Sequence, residues 1–215
     1  MKLVLKFGGT SLASPKDIIG VAKTVVSFSK DNEIVVVCSA VDGVTDDLII
    51  ISRMIEQRKK DAAAKVLDEL IKKHRKLADQ TIKNSTIKKQ LLEKLSTDVS
   101  ELQELVRGLT LLKEVSARSL DYLISFGERL SDDLVSFALQ DLKKKSTALN
   151  GKEVGIVTDS NFGESRPLMD TTRIRISKTL GSLLSKKIIP VVGGFAGADQ
   201  HGNITTFGRG GSDYT

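Results

Sequence analysis

Two hydrophobic rhythms alternate along this chain. Short apolar runs, rich in valine and isoleucine, occur at Lys2–Phe7, Glu33–Cys38, Ser146–Leu149, Gly155–Thr158, Ile188–Val192 and Ile204–Phe207. Their length and composition predict strands, and Leu3-Val4-Leu5 reads as a buried one. Longer segments repeat apolar residues every three or four positions and predict helices. Ser14-Pro15 marks one start, with serine as N-cap and proline in the first turn; its apolar face runs through Ile18, Val21, Ala22, Val25 and Val26. A second helix is predicted over about 171–186, carrying Ile174, Ile176, Leu180, Leu183 and Leu184. From Asp46 to Leu142 the pattern is almost purely helical, with stripes at Leu67, Leu70, Ile71 and Leu77 and at Leu91, Leu92, Leu95, Val99, Leu102, Leu105 and Val106; Asn84-Ser85-Thr86 is a predicted break.

Valine-rich strands separated by helices imply an α/β fold, a mainly parallel sheet with helices on both faces. The all-helical excursion would pack on one end of that sheet. In such sheets ligands bind beyond the C-terminal ends of the strands, and every glycine-rich or hydroxyl-rich cluster described below follows a predicted strand or interrupts a predicted helix.

Composition narrows the classes. The 215 residues suffice for one large domain core. A single cysteine, Cys38, at the end of a valine run, excludes a disulfide framework and a cysteine zinc site and reads as a buried thiol. Lys6 interrupts the only N-terminal apolar run, and no run approaches the roughly 20 residues of a membrane span; neither a secretion signal nor a membrane is expected, and the cytoplasm is the expected compartment. The net charge of +6 raises the question of nucleic acid, but its distribution argues otherwise. Residues 53–118 hold 16 Lys/Arg against 10 Asp/Glu, while the rest holds 17 of each. The surplus lies on predicted helices without interleaved aromatics, which reads as a solvated face. His74 falls on a polar helix and is expected to be exposed.

The candidate chemistry sits in five clusters. Lys6-Phe7-Gly8-Gly9-Thr10-Ser11 follows the first strand. Gly-Gly lets the backbone N–H groups approach an anion, and a lysine at the end of a buried strand is costly unless an anion meets it. This is neither a Walker loop, since the lysine precedes the glycines, nor a dinucleotide fingerprint; a plain strand-to-helix turn is the bland alternative. Ser39-Ala40-Val41-Asp42-Gly43-Val44-Thr45-Asp46 follows the second strand and offers hydroxyls, with Asp46 a possible helix cap. In Ser125-Phe126-Gly127-Glu128-Arg129-Leu130-Ser131 the glycine suggests a helix break that aims Glu128 outward; the alternative is a surface Glu-Arg pair. Pro190-Val191-Val192-Gly193-Gly194-Phe195-Ala196-Gly197 is a strand running into a second Gly-Gly. Thr205-Thr206-Phe207-Gly208-Arg209-Gly210-Gly211-Ser212-Asp213 closes the set.

Together these clusters, with Val-Thr-Asp-Ser-Asn-Phe-Gly at 157–163, resemble aspartokinases of the amino-acid kinase superfamily, in order and across the whole chain. The resemblance implies transfer of the ATP γ-phosphoryl group to the β-carboxylate of L-aspartate, the first step toward lysine, threonine and methionine. A carboxylate nucleophile is already ionised, so no general base is needed, and phosphoryl transfer relies on positioning and charge neutralisation. By resemblance Lys6, Phe7, Gly8, Gly9, Ser11, Gly210 and Gly211 hold the phosphates, with Mg²⁺ arriving on the ATP and no protein metal site. Arg209 takes the α-carboxylate as a bidentate fork, Glu128 the ammonium, and Ser39, Thr45 and Ser212 contribute polar contacts. Asp213 orients Lys6; as an N-cap for a helix beginning at Tyr214 it would be compatible with that role.

The resemblance also implies a nucleotide-binding lobe and regulatory domains after residue 215. The chain is therefore expected to be the amino-acid-binding lobe, inactive by itself, from a homo-oligomeric parent. Two alternatives remain at this point: another amino-acid kinase of glutamate type, and a non-catalytic amino-acid-binding module.

Overall fold

The computed structural model describes residues 1–208. Four strands form one parallel sheet: β1 (Lys2–Phe7), β2 (Glu33–Cys38), β3 (Ser146–Leu149) and β4 (Ile189–Gly193), in the spatial order β1-β2-β4-β3. Because all pairings are parallel, the loops after Phe7, Cys38, Leu149 and Gly193 share one edge. A two-stranded antiparallel ribbon, β5 (Ala196–Ala198) and β6 (Ile204–Thr206), continues beyond β4.

One face of the sheet carries most of the core. Helix α1 (Pro15–Phe28) starts as the sequence dictates: the Ser14 side chain accepts from the Asp17 N–H, and Pro15 fills the first turn. Its Ile18, Val21, Ala22 and Val25 pack with Ile34, Val36 and Val191 of the sheet, with Val44, Leu48 and Ile51 of α2 (Val44–Glu56), and with Phe126, Leu130 and Leu134 of α5 (Ala117–Asp141). The long helices α3 (Lys60–Thr81) and α4 (Ser85–Leu112) add an outer layer, separated at the predicted break, where Asn84 caps α4. On the other face a smaller cluster joins Val35, Leu149 and Val192 to Ile156, Phe207, and Ile176 and Leu180 of α7 (Met169–Ser185). Cys38 is buried, as expected, and burial pushes its thiol well above its usual range.

Several expectations are corrected. β1 is an edge strand, not a buried one. Leu3, Leu5 and Phe7 face the core, but Val4 is 64% exposed and Lys6 is exposed on the opposite side. Gly155–Thr158 does not form a strand. The short helix α6 (Gly151–Val154) ends at Gly155 in the left-handed region (φ 105°), and the Thr172 hydroxyl, donating to the Val157 carbonyl and accepting its N–H, occupies the place a neighbouring strand would take. Only single bridges remain, Val157 to Ala198 and Thr158 to Pro167. On α7 Ile174 is 72% exposed, so the apolar stripe there is narrower than its spacing suggested. Gly43, not Asp46, caps α2. His74 is buried, held by the Leu70 carbonyl at 2.9 Å and driven neutral by desolvation, its pKa lowered to about 4. Among the described residues no helix is long and apolar enough to cross a membrane.

Candidate functional site

The shared edge gathers the first four sequence clusters. After β1, Gly8 and Gly9 enter a short 3₁₀ turn, Gly9–Leu12, closed by the Ser11 N–H on the Gly8 carbonyl at 3.0 Å. This turn lies against the loop after β2: a Cβ on Gly9 would stand 2.9 Å from the Ala40 carbonyl. Phe7 accepts from the Ser39 N–H at 3.0 Å, and the Ser39 carbonyl accepts from Ser131 Oγ of α5 at 2.8 Å. Thr45 stands in the first turn of α2, half-buried. Lys6 sits at this edge but on the exposed face of β1. The desolvation argument for an anion beside it therefore falls away, and its position next to Gly8-Gly9 is what remains.

Gly127 does not break α5. The helix runs straight through it, because glycine lets α5 close onto the β2–α2 loop; a Cβ there would come 2.9 Å from the Ala40 methyl. Glu128 is consequently not aimed into solvent. It is 4% exposed and faces the end of β4, where Phe195 N–H donates to Oε2 at 2.8 Å and Gly194 N–H adds a second backbone interaction. Burial dominates these bonds and raises its pKa to about 8. Oε1 has no hydrogen-bond partner among the described residues. Gly193 must be a glycine for the same reason: a Cβ would meet Glu128 Oε2 at 2.8 Å and Asp132 Oδ2 at 3.0 Å.

Nor do Glu128 and Arg129 form a surface pair. Arg129 Nη2 donates to Asp98 Oδ1 at 2.6 Å and Glu101 Oε2 at 2.7 Å on α4, with its guanidinium 4.4 Å from the Phe126 ring centroid. Tyr122 also bonds Glu101, and Lys94 bonds Asp98 at 2.7 Å. This charge network clamps α4 to α5, the helix that carries Glu128.

Sequence reading missed Asp121 and Asp132. Asp121, buried, accepts three hydrogen bonds: Thr206 N–H at 2.9 Å, Thr206 Oγ1 at 2.7 Å and Gly163 N–H at 2.9 Å. It thereby ties α5 to β6, which leads toward Arg209, and to the 157–163 segment. Burial nevertheless leaves its pKa raised. The signal was present: Asp121, Ser125, Glu128 and Asp132 recur at helical spacing as a polar stripe in an apolar helix. Asp121→Asn offers an amide where three donors converge, and should lower stability by ~2 kcal/mol in urea titrations and weaken ligand binding at the edge. Unchanged stability would show that these bonds are not needed.

A cavity of about 30 Å³, lined by Ser125, Glu128, Asp132 and Gly193 among others, adjoins a cleft of about 930 Å³ between α4, α5 and the β5–β6 ribbon. Arg209, Gly210, Gly211, Ser212 and Asp213 lie outside the described residues.

The described residues at this edge offer a buried carboxyl group with an unpartnered oxygen near a glycine-led turn. Residues 1–215 match the amino acid kinase family. The chain is 33% identical to Arabidopsis thaliana aspartokinase 3, chloroplastic, over 99% of its length and 37% of that protein's, and 30% identical to Geobacillus stearothermophilus aspartokinase over 99% and 38%. Among solved structures, E. coli aspartokinase III in complex with lysine and aspartate superposes with a TM-score of 0.86 at 24% identity, covering 99% of this chain and 45% of that one. The same enzyme in complex with aspartate and ADP gives 0.80 at 25%, covering 100% and 45%. The chain spans less than half the length of these relatives.

Proposed function

Taking as premise that this chain belongs to the amino acid kinase family, we propose that it is the amino-acid-binding lobe of an aspartate kinase. The reaction is transfer of the ATP γ-phosphoryl group to the β-carboxylate of L-aspartate, feeding amino-acid biosynthesis. The observation that carries this reading is Glu128, a carboxylate withdrawn from water at the sheet edge with one oxygen still unpartnered among the described residues. A buried carboxyl with spare acceptor capacity can carry its charge when a cation meets it, and a free amino acid supplies one. An N-acylated substrate would not.

Around that anchor the remaining assignments follow from the chemistry of each group. Arg209 takes the α-carboxylate in a bidentate grip. Ser39 and Thr45, on the loop after β2, and Ser212 complete the amino-acid contacts. This places the β-carboxylate toward the Gly8–Gly9 turn, whose backbone N–H groups, with Lys6, Phe7, Ser11, Gly210 and Gly211, receive the transferring phosphate. Asp213 orients Lys6. Backbone N–H groups suit phosphate oxygens and not a cation, so Mg²⁺ would be held by the nucleotide's own phosphates; when bound, it neutralises charge on the β- and γ-oxygens. The chain's part is to position a carboxylate that is already a nucleophile and to stabilise the equatorial oxygens.

The test replaces the matched segment of the G. stearothermophilus aspartokinase with this chain. ATP, aspartate and hydroxylamine should give aspartyl hydroxamate, and glutamate in place of aspartate should not. Hydroxamate from glutamate alone would move the reading to a glutamate-type kinase.

A further inference from the structure

Four residues after Glu128, one helical turn along α5, stands a second carboxylate for which the reading above has no use. Asp132 is 1% exposed, and neither of its oxygens has a hydrogen-bond partner among the described residues. It lines the same cavity of about 30 Å³ as Glu128, and both side chains converge on Gly193, each with an oxygen within 3.0 Å of the point where a Cβ would stand. A cavity of that size holds one water-sized group. Among the described residues, three acceptor atoms around it are thus unsatisfied: Glu128 Oε1, Asp132 Oδ1 and Asp132 Oδ2. A primary ammonium carries three donors.

Among the described residues, the cations nearby are engaged elsewhere. On α4, Lys94 bonds Asp98, and it stands 3.6 Å from Asp133; Arg129 of α5 bonds Asp98 and Glu101. Lys152 of α6 donates to the Gly202 carbonyl at 3.0 Å. The other described groups facing the pair add no positive charge: Cys38 from β2, Tyr122 and Asp133 on α5, and Glu153 from α6.

We propose that Asp132 is a specificity-determining residue of the amino-acid site, forming with Glu128 a two-carboxylate receptor for the substrate's primary ammonium, from which a proton leaves to solvent as the ammonium enters. The inference rests on aspartate as the ligand. Two carboxylates this deeply buried and this close cannot both ionise in the empty site, because each disfavours the other's charge and burial disfavours both. Desolvation and the neighbouring Glu128, Asp133 and Glu153 raise Asp132 well above its usual range. An ammonium between them reverses that balance, so aspartate binding strengthens as pH rises toward 8.5.

Calorimetric titration of the chain with L-aspartate at pH 7, in two buffers of different ionisation heat, counts the protons released. Succinate, which keeps two carboxylates and lacks the ammonium, is the control. The wild-type chain should release about one proton per aspartate and none with succinate. Asp132→Asn should release less than half as much and bind aspartate at least tenfold more weakly at pH 8.5, with succinate affinity within threefold. Aspartate binding without proton release overturns the receptor, whatever the variant does. Equal proton release with succinate overturns it as well, by placing the proton on a group that meets carboxylates. Competition with aspartate by potassium chloride, but not by tetramethylammonium chloride, would make the cavity a monovalent-cation site and overturn the substrate assignment. No aspartate binding at any pH would sink the proposed function and this inference together.

Discussion

Glu128→Gln will bind aspartate at least tenfold more weakly than the parent chain and will also melt higher at pH 8. The binding loss, on the order of 1.4 kcal/mol or more, follows from removing one of the two carboxylates placed to meet the ammonium while keeping the shape that accepts from Phe195 N–H. The gain in stability follows from linkage. Burial raises the Glu128 pKa to about 8 from an ordinary value of 4.5. Between those values the folded protein holds a proton that the unfolded chain releases. Stability therefore falls as pH rises through that window, and the loss is complete above the folded value. Asp133, raised to about 7 mainly by burial, adds a loss of the same sign over a lower range. A glutamine has no charge to desolvate. If its removal is worth ~2 kcal/mol at pH 8, the melting temperature should rise by ~4–8 °C, with little difference between variant and parent near pH 4. Calorimetric scans at pH 4 and 8 read this directly; a variant that melts lower at pH 8 would show that the carboxylate is ionised and satisfied in the folded chain.

Lys6→Ala, made in the aspartokinase carrying this segment, should reduce kcat by a hundredfold or more and leave aspartate binding within a few-fold. Lys6 lies on the exposed side of β1, away from the core that supports Glu128, so its loss opens no buried cavity. What it removes is a cation at the end of the strand that delivers Gly8 and Gly9, where negative charge shifts during phosphoryl transfer. A drop confined to aspartate affinity would move Lys6 from the phosphate subsite to the amino-acid subsite.

The layout of the molecule was legible because its periodicities are strong. The break at Asn84, the Ser14 cap and the strands β2, β3 and β4 all follow from local pattern and capping chemistry. What sequence could not convey was which face of each element meets a neighbour. β1 and β2 both carry short apolar runs, yet β1 lies at the sheet edge, and nothing within Leu3-Val4-Leu5 itself marks it as such. Gly127 reads as a break until α5 is seen pressed against Ala40. His74 reads as exposed because its neighbours in sequence are charged, while its own face of α3 turns inward. The site clusters were readable as loops following strands. The polar stripe Asp121–Ser125–Glu128–Asp132 was not read, since its meaning depends on the apolar helix around it and on the ends of β4 and β6 it meets.

The central claim is that the sheet edge of residues 1–215 receives a free amino acid by its ammonium. Its most direct test is calorimetric titration of the chain with L-aspartate and, in parallel, N-acetyl-L-aspartate, which retains both carboxylates and lacks the cation. Saturable binding of aspartate, with the acetylated compound at least tenfold weaker and that preference abolished by Glu128→Gln, is the predicted result; equal affinity for the two ligands, or a preference for the acetylated one, would contradict it.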